Sequence, residues 1–119
     1  MQNESVVLEL TLPKAISLNQ LYAGKHWTYR KKQKDEYTKL IKAELDNYDH
    51  YTAQSMSIDI KYNCRYDVDN SIVCAKFVAD ALVHYGWIPE DNTKHYQSLR
   101  IRYDKSIEKN ICKVRIALM

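Results

Sequence analysis

The chain has 119 residues, of which 45% are hydrophobic, and this length and composition predict one modest core in a single domain, 1–119. No apolar run approaches the roughly 18 residues of a membrane span, and the first residues lack the pattern of a secretion signal, so we expect a cytoplasmic protein. The net charge of +3 is uneven: basic residues gather at 25–34 and beyond 92, and acids between 59 and 91. Such basic flanks suit a polyanionic partner or, equally, an ordinary solvated surface.

The first half of the chain predicts a strand, a connection and a helix. Residues 5–13 alternate apolar and polar side chains and stop at Pro13, as a strand does. Residues 15–30 form a connection that contains a glycine. From about 29 to 46, apolar residues recur at helical spacing, with charged residues on the opposite side.

The second half predicts a strand, a helix and two further strands. Asp69 or Asn70 is suited to cap the helix, and Gly86 is suited to close it. The predicted strands are 55–64, 95–104 and 110–118, and the predicted helix is 71–85. The order β-α-β-α-β-β predicts an α+β fold, with two helices packed against a four-stranded mixed sheet.

The segment "YDVDN" (66–70) places two carboxylates two positions apart. On an extended chain Asp67 and Asp69 project to the same side. Two carboxylates this close share a proton or bind a cation, and Mg²⁺ prefers oxygen ligands of this kind. The alternative is a solvated turn in which Asp69 or Asn70 caps the helix.

Asp91 is a candidate third ligand. From Gly86 to Asp91 the extended chain covers roughly 17 Å, and the predicted helix rises by roughly 22 Å. These lengths allow Asp91 to return most of the way to the aspartate pair.

Lys76 and Asp80 are spaced by four residues within the predicted helix. One interpretation is an ordinary intrahelical ion pair. The other is that Lys76 neutralises charge at a scissile phosphate while Asp80 orients it.

The basic segment at 25–34 contains no acid. We interpret it as a platform for the phosphate backbone of DNA, since phosphate contacts come mainly from cationic side chains; a solvated helix face is the alternative. Tyr22 and Trp27 are interpreted as packing against the first helix, the alternative being contact with an unstacked base. The candidate DNA-binding residues are Lys25, His26, Arg30, Lys31, Lys32 and Lys34.

Residues 66–91, "YDVDNSIVCAKFVADALVHYGWIPED", resemble the signature of the RusA family of Holliday junction resolvases. That signature has D-x-D-N, a helix with K-x-x-x-D-A-L, a glycine and an acidic pair in the next loop. The segment "LPKAISLNQLYAGKHWTYRKK" resembles the opening strand, S-x-N-x-x-Y segment and basic helix of the family. The resemblance extends from about residue 8 to residue 103.

The resemblance implies a homodimeric, Mg²⁺-dependent endonuclease of bacterial or phage origin. Such an enzyme cuts four-way DNA junctions with paired nicks during recombination and repair. By position, the resemblance makes Asp67, Asp69 and Asp91 the catalytic metal ligands, Lys76 the active-site lysine, and Asn70 and Asp80 supporting residues.

Two departures from the family pattern affect these assignments. Five residues separate Asn70 from Lys76, where the pattern has two. Three extra residues turn a helical side chain by roughly 300°, so Lys76 keeps its place only if the helix starts later or bulges. The loop acids are Glu90 and Asp91 rather than two aspartates. The competing hypotheses are a RusA-like protein that binds branched DNA without catalysis, and a metal enzyme acting on small phosphate esters.

Overall fold

Four strands and two long helices alternate along the residues that the computed structural model describes, which are 5–21, 26–66 and 68–119. The predicted order β-α-β-α-β-β and the α+β class are confirmed, and a one-turn helix and a 3₁₀ turn are additions. The strands are Val6–Pro13 (β1), Met56–Asn63 (β2), Tyr96–Tyr103 (β3) and Ile111–Leu118 (β4). The helices are Leu18–Leu21 (α1), Trp27–Leu45 (α2) and Ile72–His84 (α3), with the 3₁₀ turn at Val68–Ser71.

The strands form one mixed sheet in the order β1-β4-β2-β3. β4 lies antiparallel between β1 and β2, and β3 pairs in parallel with β2 at the edge. A parallel pair needs a long crossover connection rather than a tight turn. The 3₁₀ turn, α3 and the loop after it supply that crossover, and they carry most of the candidate catalytic residues.

The two faces of the sheet have different chemistry. One residue in two of β1 and β4 is buried, for example Leu10 and Val114, and these side chains meet α2 and α3 in the core. The intervening side chains, such as Glu9 and Arg115, lie on the opposite face without a helix over them. This one-sided arrangement follows from the period-two alternation of the strands.

α2 packs through a single apolar stripe. Tyr37, Ile41 and Leu45 are buried at intervals of four residues, and the Tyr37 hydroxyl donates a hydrogen bond to the carbonyl of Pro13 at 2.7 Å. This bond fixes the helix to the end of β1. No helix in the described ranges combines the length and apolar character needed to cross a bilayer.

α3 begins differently from the prediction. Its N-cap is Ser71, whose side chain makes no capping bond, while Asp69 and Asn70 lie in the preceding 3₁₀ turn. The prediction that Asp69 or Asn70 caps the helix was wrong, because the chain makes a tighter turn before the α-helical bonds begin. The buried residues of α3 are Val73, Cys74, Ala75, Phe77, Val78, Ala79, Ala81 and Leu82.

Gly86 ends α3 as predicted. Its φ of 79° is left-handed, and the paired bonds Gly86 N to Val83 O (3.1 Å) and Trp87 N to Leu82 O (2.8 Å) form a Schellman motif. A side chain with a Cβ is strained in this conformation. The motif reverses the chain and sends the following loop back along α3.

Candidate functional site

The loop after Gly86 is fixed to the core before it reaches the surface. Trp87 and Ile88 are only 4% and 1% exposed, and the carbonyl of Trp87 accepts a hydrogen bond from the backbone N–H of Ala53 at 2.8 Å. The next residues emerge from the core, and Asp91 is exposed. Two buried anchors thus determine where the Asp91 carboxylate is presented.

Asp91 lines a cavity of about 280 Å³ between α3 and the start of β3, which we call the α3 cavity. The described lining includes three of the residues that the sequence analysis singled out, and it also includes apolar and aromatic side chains of α3 and β3. Among these residues are Ile72, Lys76, Asp80, Asp91, Tyr96 and Leu99. Asp91 therefore lies beside α3, in the same cavity as Ile72 and Lys76, while its return to the aspartate pair stays a prediction.

The aspartate pair is only partly described. Asp67 lies outside the described residues, and for Asp69 and Asn70 the structure describes the backbone but not the side chains. The backbone of Asp69 lies in the 3₁₀ turn, three residues before Ile72 of the α3 cavity. Among the side chains that are described, no three ligands gather as a metal site. The three-carboxylate site stays a prediction.

Asp80 has a different partner from the one predicted. Its carboxylate forms an ion pair with Lys34 of α2 at 2.8 Å, and no ion pair to Lys76 is present. Lys76 is exposed and has no carboxylate partner within the described ranges. The interpretation of Lys76 and Asp80 as an intrahelical ion pair was therefore wrong, because α2 crosses α3 closely enough for Lys34 to bind the carboxylate. The alternative, in which Asp80 orients Lys76, likewise has no ion pair or hydrogen bond between the two described side chains to support it. Asp80 links the two helices, and the ammonium group of Lys76 lines the α3 cavity without an ion pair to any carboxylate that the structure describes.

Tyr96 is a site residue that sequence analysis missed. Its hydroxyl is buried without a hydrogen-bond partner among the described residues, and the ring lines the α3 cavity with Asp91. Burial, followed by the negative charge of Asp91, raises the pKa of Tyr96 to about 12. The phenol is therefore a neutral donor at physiological pH. Nothing in its spacing separates Tyr96 from the other nine of the ten tyrosines in the chain.

The basic segment is less available for phosphate than its sequence suggests. His26 caps α2, since its ring nitrogen Nδ1 accepts from the backbone N–H of Thr28 at 3.2 Å. Lys31 pairs with Asp35 at 2.7 Å, and Lys34 pairs with Asp80. The partners are Asp35, four residues after Lys31 on the same helix, and Asp80 on α3. Both lie outside the acid-free segment 25–34, so that segment gives no indication of these ion pairs.

The other predicted members of the basic segment have varied positions. Lys32 is exposed and Arg30 is half-buried, while Lys25 and Tyr22 lie outside the described residues. Trp27 is 57% exposed, with its ring 5.6 Å from that of His26. The interpretation that Trp27 packs into the helix contacts was therefore wrong.

The chain was compared with known proteins. No protein-family model matches it, and no curated protein does so significantly. The RusA-like assignment accordingly stays a prediction from the motifs at 66–91.

Proposed function

We propose that the protein is a RusA-like, Mg²⁺-dependent DNA endonuclease that resolves four-way junctions by paired nicks. The observation that carries the proposal is that Asp91 and Lys76 line one cavity beside Ile72, directly after the turn that contains Asp69. A carboxylate from the loop after α3 and an ammonium group of α3 that has no described carboxylate partner thus line one cavity, and a second acidic segment directly precedes the helix. This is the combination of groups that hydrolysis of a phosphodiester requires.

The donor set suits magnesium. Asp67, Asp69 and Asp91 offer carboxylate oxygens only, and Mg²⁺ binds through one or a few carboxylates while keeping several waters. The exposure of Asp91 leaves room for such waters and for a phosphate oxygen. When bound, the metal supplies an activated water and stabilises the leaving 3′ oxygen.

The residues of the chain have separate tasks in this proposal. Lys76, without a described carboxylate partner, places its positive charge against the non-bridging oxygens as negative charge develops. The Lys34–Asp80 pair holds α2 against α3 at the rim of the cavity. The buried Tyr96 hydroxyl has no hydrogen-bond partner among the described residues, so it is free to donate a hydrogen bond to a phosphate oxygen or to a metal-bound water in the α3 cavity.

Paired nicks require two active sites. A homodimer with two-fold symmetry places two such cavities in opposite orientation, which matches the symmetry of a four-way junction. The proposed partners are therefore branched DNA and a second copy of the chain.

A RusA-like protein that binds branched DNA without cutting it is the second candidate. The observation in its favour is the five-residue separation of Asn70 and Lys76. Part of that length is taken up before α3 starts at Ile72, because the 3₁₀ turn extends to Ser71. A later helix start is one of the two arrangements that would let Lys76 occupy the position of the active-site lysine in the RusA pattern, and this supports the endonuclease over the binding protein.

Metal removal tests the proposal. We expect a labelled synthetic four-way junction to give symmetric nicked products with Mg²⁺ on a denaturing gel, and no products once a chelator is added. Asp69→Asn is expected to abolish nicking while junction binding survives or tightens, because one charge of the anionic pocket is lost. Wild-type protein that binds the junction with Mg²⁺ but never nicks it would support the second candidate instead.

A further inference from the structure

A groove of cationic and aromatic side chains lies at the end of the sheet where β2 and β3 stop. It consists of two adjoining cavities, of about 810 and 530 Å³, that share Lys14, Arg65 and Tyr66. Lys109 and Tyr103 line the larger one, and α1 and α2 border the smaller one. We call this surface the basic groove, and it is separate from the α3 cavity.

The positive charge of the basic groove is not compensated by described residues. Lys14, Arg65 and Lys109 are exposed and form no ion pair with a described carboxylate. Neither cavity has a described acidic residue in its lining. By contrast, the cavity on the open face of the sheet mixes its cations with acids, and there Arg102 pairs with Asp59 at 3.1 Å. Of these cavities, the basic groove is the one suited to an anion.

Tyr103 gives the basic groove an exposed aromatic surface. It is 55% exposed, and its ring stands edge-on to Tyr62 with the ring centroids 5.8 Å apart. Tyr62 is 2% exposed and stacks against Tyr66, whose hydroxyl donates a hydrogen bond to the carbonyl of Ala15. The buried Tyr62 ring supports one edge of Tyr103, and the rest of the exposed Tyr103 ring faces the groove that the cations line.

The basic groove also reaches the predicted catalytic segment. Val68, which separates Asp67 from Asp69 in the sequence, is 46% exposed and lines the larger cavity. A ligand in the groove therefore lies beside the turn that carries the aspartates.

We propose that the basic groove binds an unpaired stretch of a DNA strand, with a base on Tyr103 and phosphates on Lys109, Arg65 and Lys14. Bases in a duplex are stacked on each other, whereas an unpaired base presents its face to an aromatic side chain. A concave surface with separated cations accommodates the flexible backbone of one strand. The inference rests on the proposed function for the identity of the ligand as DNA, and it specifies which part of a junction the chain holds.

The test is binding of a fluorescent oligothymidylate by anisotropy, in chelator and without metal. We expect Tyr103→Ala to raise the Kd by about 5- to 150-fold and Tyr103→Phe to restore most of the affinity, since stacking on a base needs only the ring. Lys109→Gln is expected to reduce the slope of log Kd against log salt by about 0.7, the value for one phosphate contact on a single strand. Lys105→Gln, in the same β3–β4 connection but outside the groove, is the matched control and leaves the slope unchanged.

The outcomes separate this inference from the proposed function. Equal affinities for wild type, Tyr103→Ala and Lys109→Gln, with unchanged circular dichroism, would overturn the groove. A wild-type protein that nicks junctions but binds no oligothymidylate would also overturn the binding role of the basic groove. The proposed endonuclease function would be unaffected by that result. Tighter binding of an oligouridylate would overturn the assignment to DNA. Groove-dependent binding by a protein that never nicks would support the groove and remove the endonuclease.

Discussion

Asp91→Asn is expected to reduce nicking of a four-way junction by more than about 100-fold while leaving junction binding in place. Loss of a residue that only supports a metal ligand costs about 10- to 100-fold, and loss of a ligand itself costs more. The amide keeps the size and the position of the side chain in the α3 cavity but removes its charge. Cleavage rates measured at saturating protein, with Kd from gel shift, distinguish lost chemistry from lost binding.

Glu90→Gln is the matched control for this variant. Glu90 precedes Asp91 in the same loop, does not line the α3 cavity, and accepts a hydrogen bond from the side-chain amide of Asn92 at 2.7 Å. The Glu90→Gln substitution removes the same charge from the same loop as Asp91→Asn. Because Glu90 does not line the α3 cavity, we expect nearly unchanged nicking. If both variants lose activity equally, general loop charge matters rather than a ligand at residue 91. If neither does, Asp91 has no part in the chemistry.

Trp87→Ala is expected to lower the free energy of unfolding by about 3–5 kcal/mol, a large share of the roughly 5–15 kcal/mol of a typical domain. The indole is 4% exposed, and its ring lies 4.7 Å from that of His50. Truncation opens a cavity in the core and removes the ring contact with His50, while the backbone hydrogen bonds of the turn at Gly86 are retained. Because the same residue anchors the loop that bears Asp91, junction nicking should fall as well, even at temperatures where the variant is folded.

Trp27→Ala provides the control, since the two tryptophans of the chain differ sharply in burial. Trp27 is 57% exposed, so its truncation should change the free energy of unfolding by less than about 0.5 kcal/mol. Urea unfolding followed by circular dichroism gives both values without relying on tryptophan emission. Similar losses for the two variants would contradict the anchoring of the loop by Trp87.

The sequence predicted the fold well because its periodicities are strong. β1 and β4 alternate cleanly, and α2 repeats its apolar residues at helical spacing, so every strand and both long helices were placed within about two residues of their bounds. Gly86 was predictable for a local reason, since a left-handed helix end favours glycine. The start of α3 was not predictable in this way: Asp69 and Asn70 are good caps by composition, but Ser71 takes that position after a 3₁₀ turn.

The candidate site was predictable where residues share one segment and unpredictable where distant segments meet. Lys76 and Asp91 were found from spacing, and both line the α3 cavity. The ion pair of Lys34 with Asp80 depends on how α2 crosses α3, which no local pattern encodes. The basic groove likewise contains Lys14, Arg65 and Lys109, which come from three separate connections. No cluster of positive charge in the sequence therefore indicates the groove.

The proposed magnesium site is tested most directly by a crystal structure with Mn²⁺ in place of Mg²⁺, using the anomalous signal of manganese. We expect a peak about 2 Å from carboxylate oxygens of Asp91 and of Asp67 or Asp69, the distance typical of such ligands, and we expect the peak to disappear in Asp91→Asn. A peak elsewhere, or three carboxylates that do not meet within one subunit or across a dimer, would contradict it.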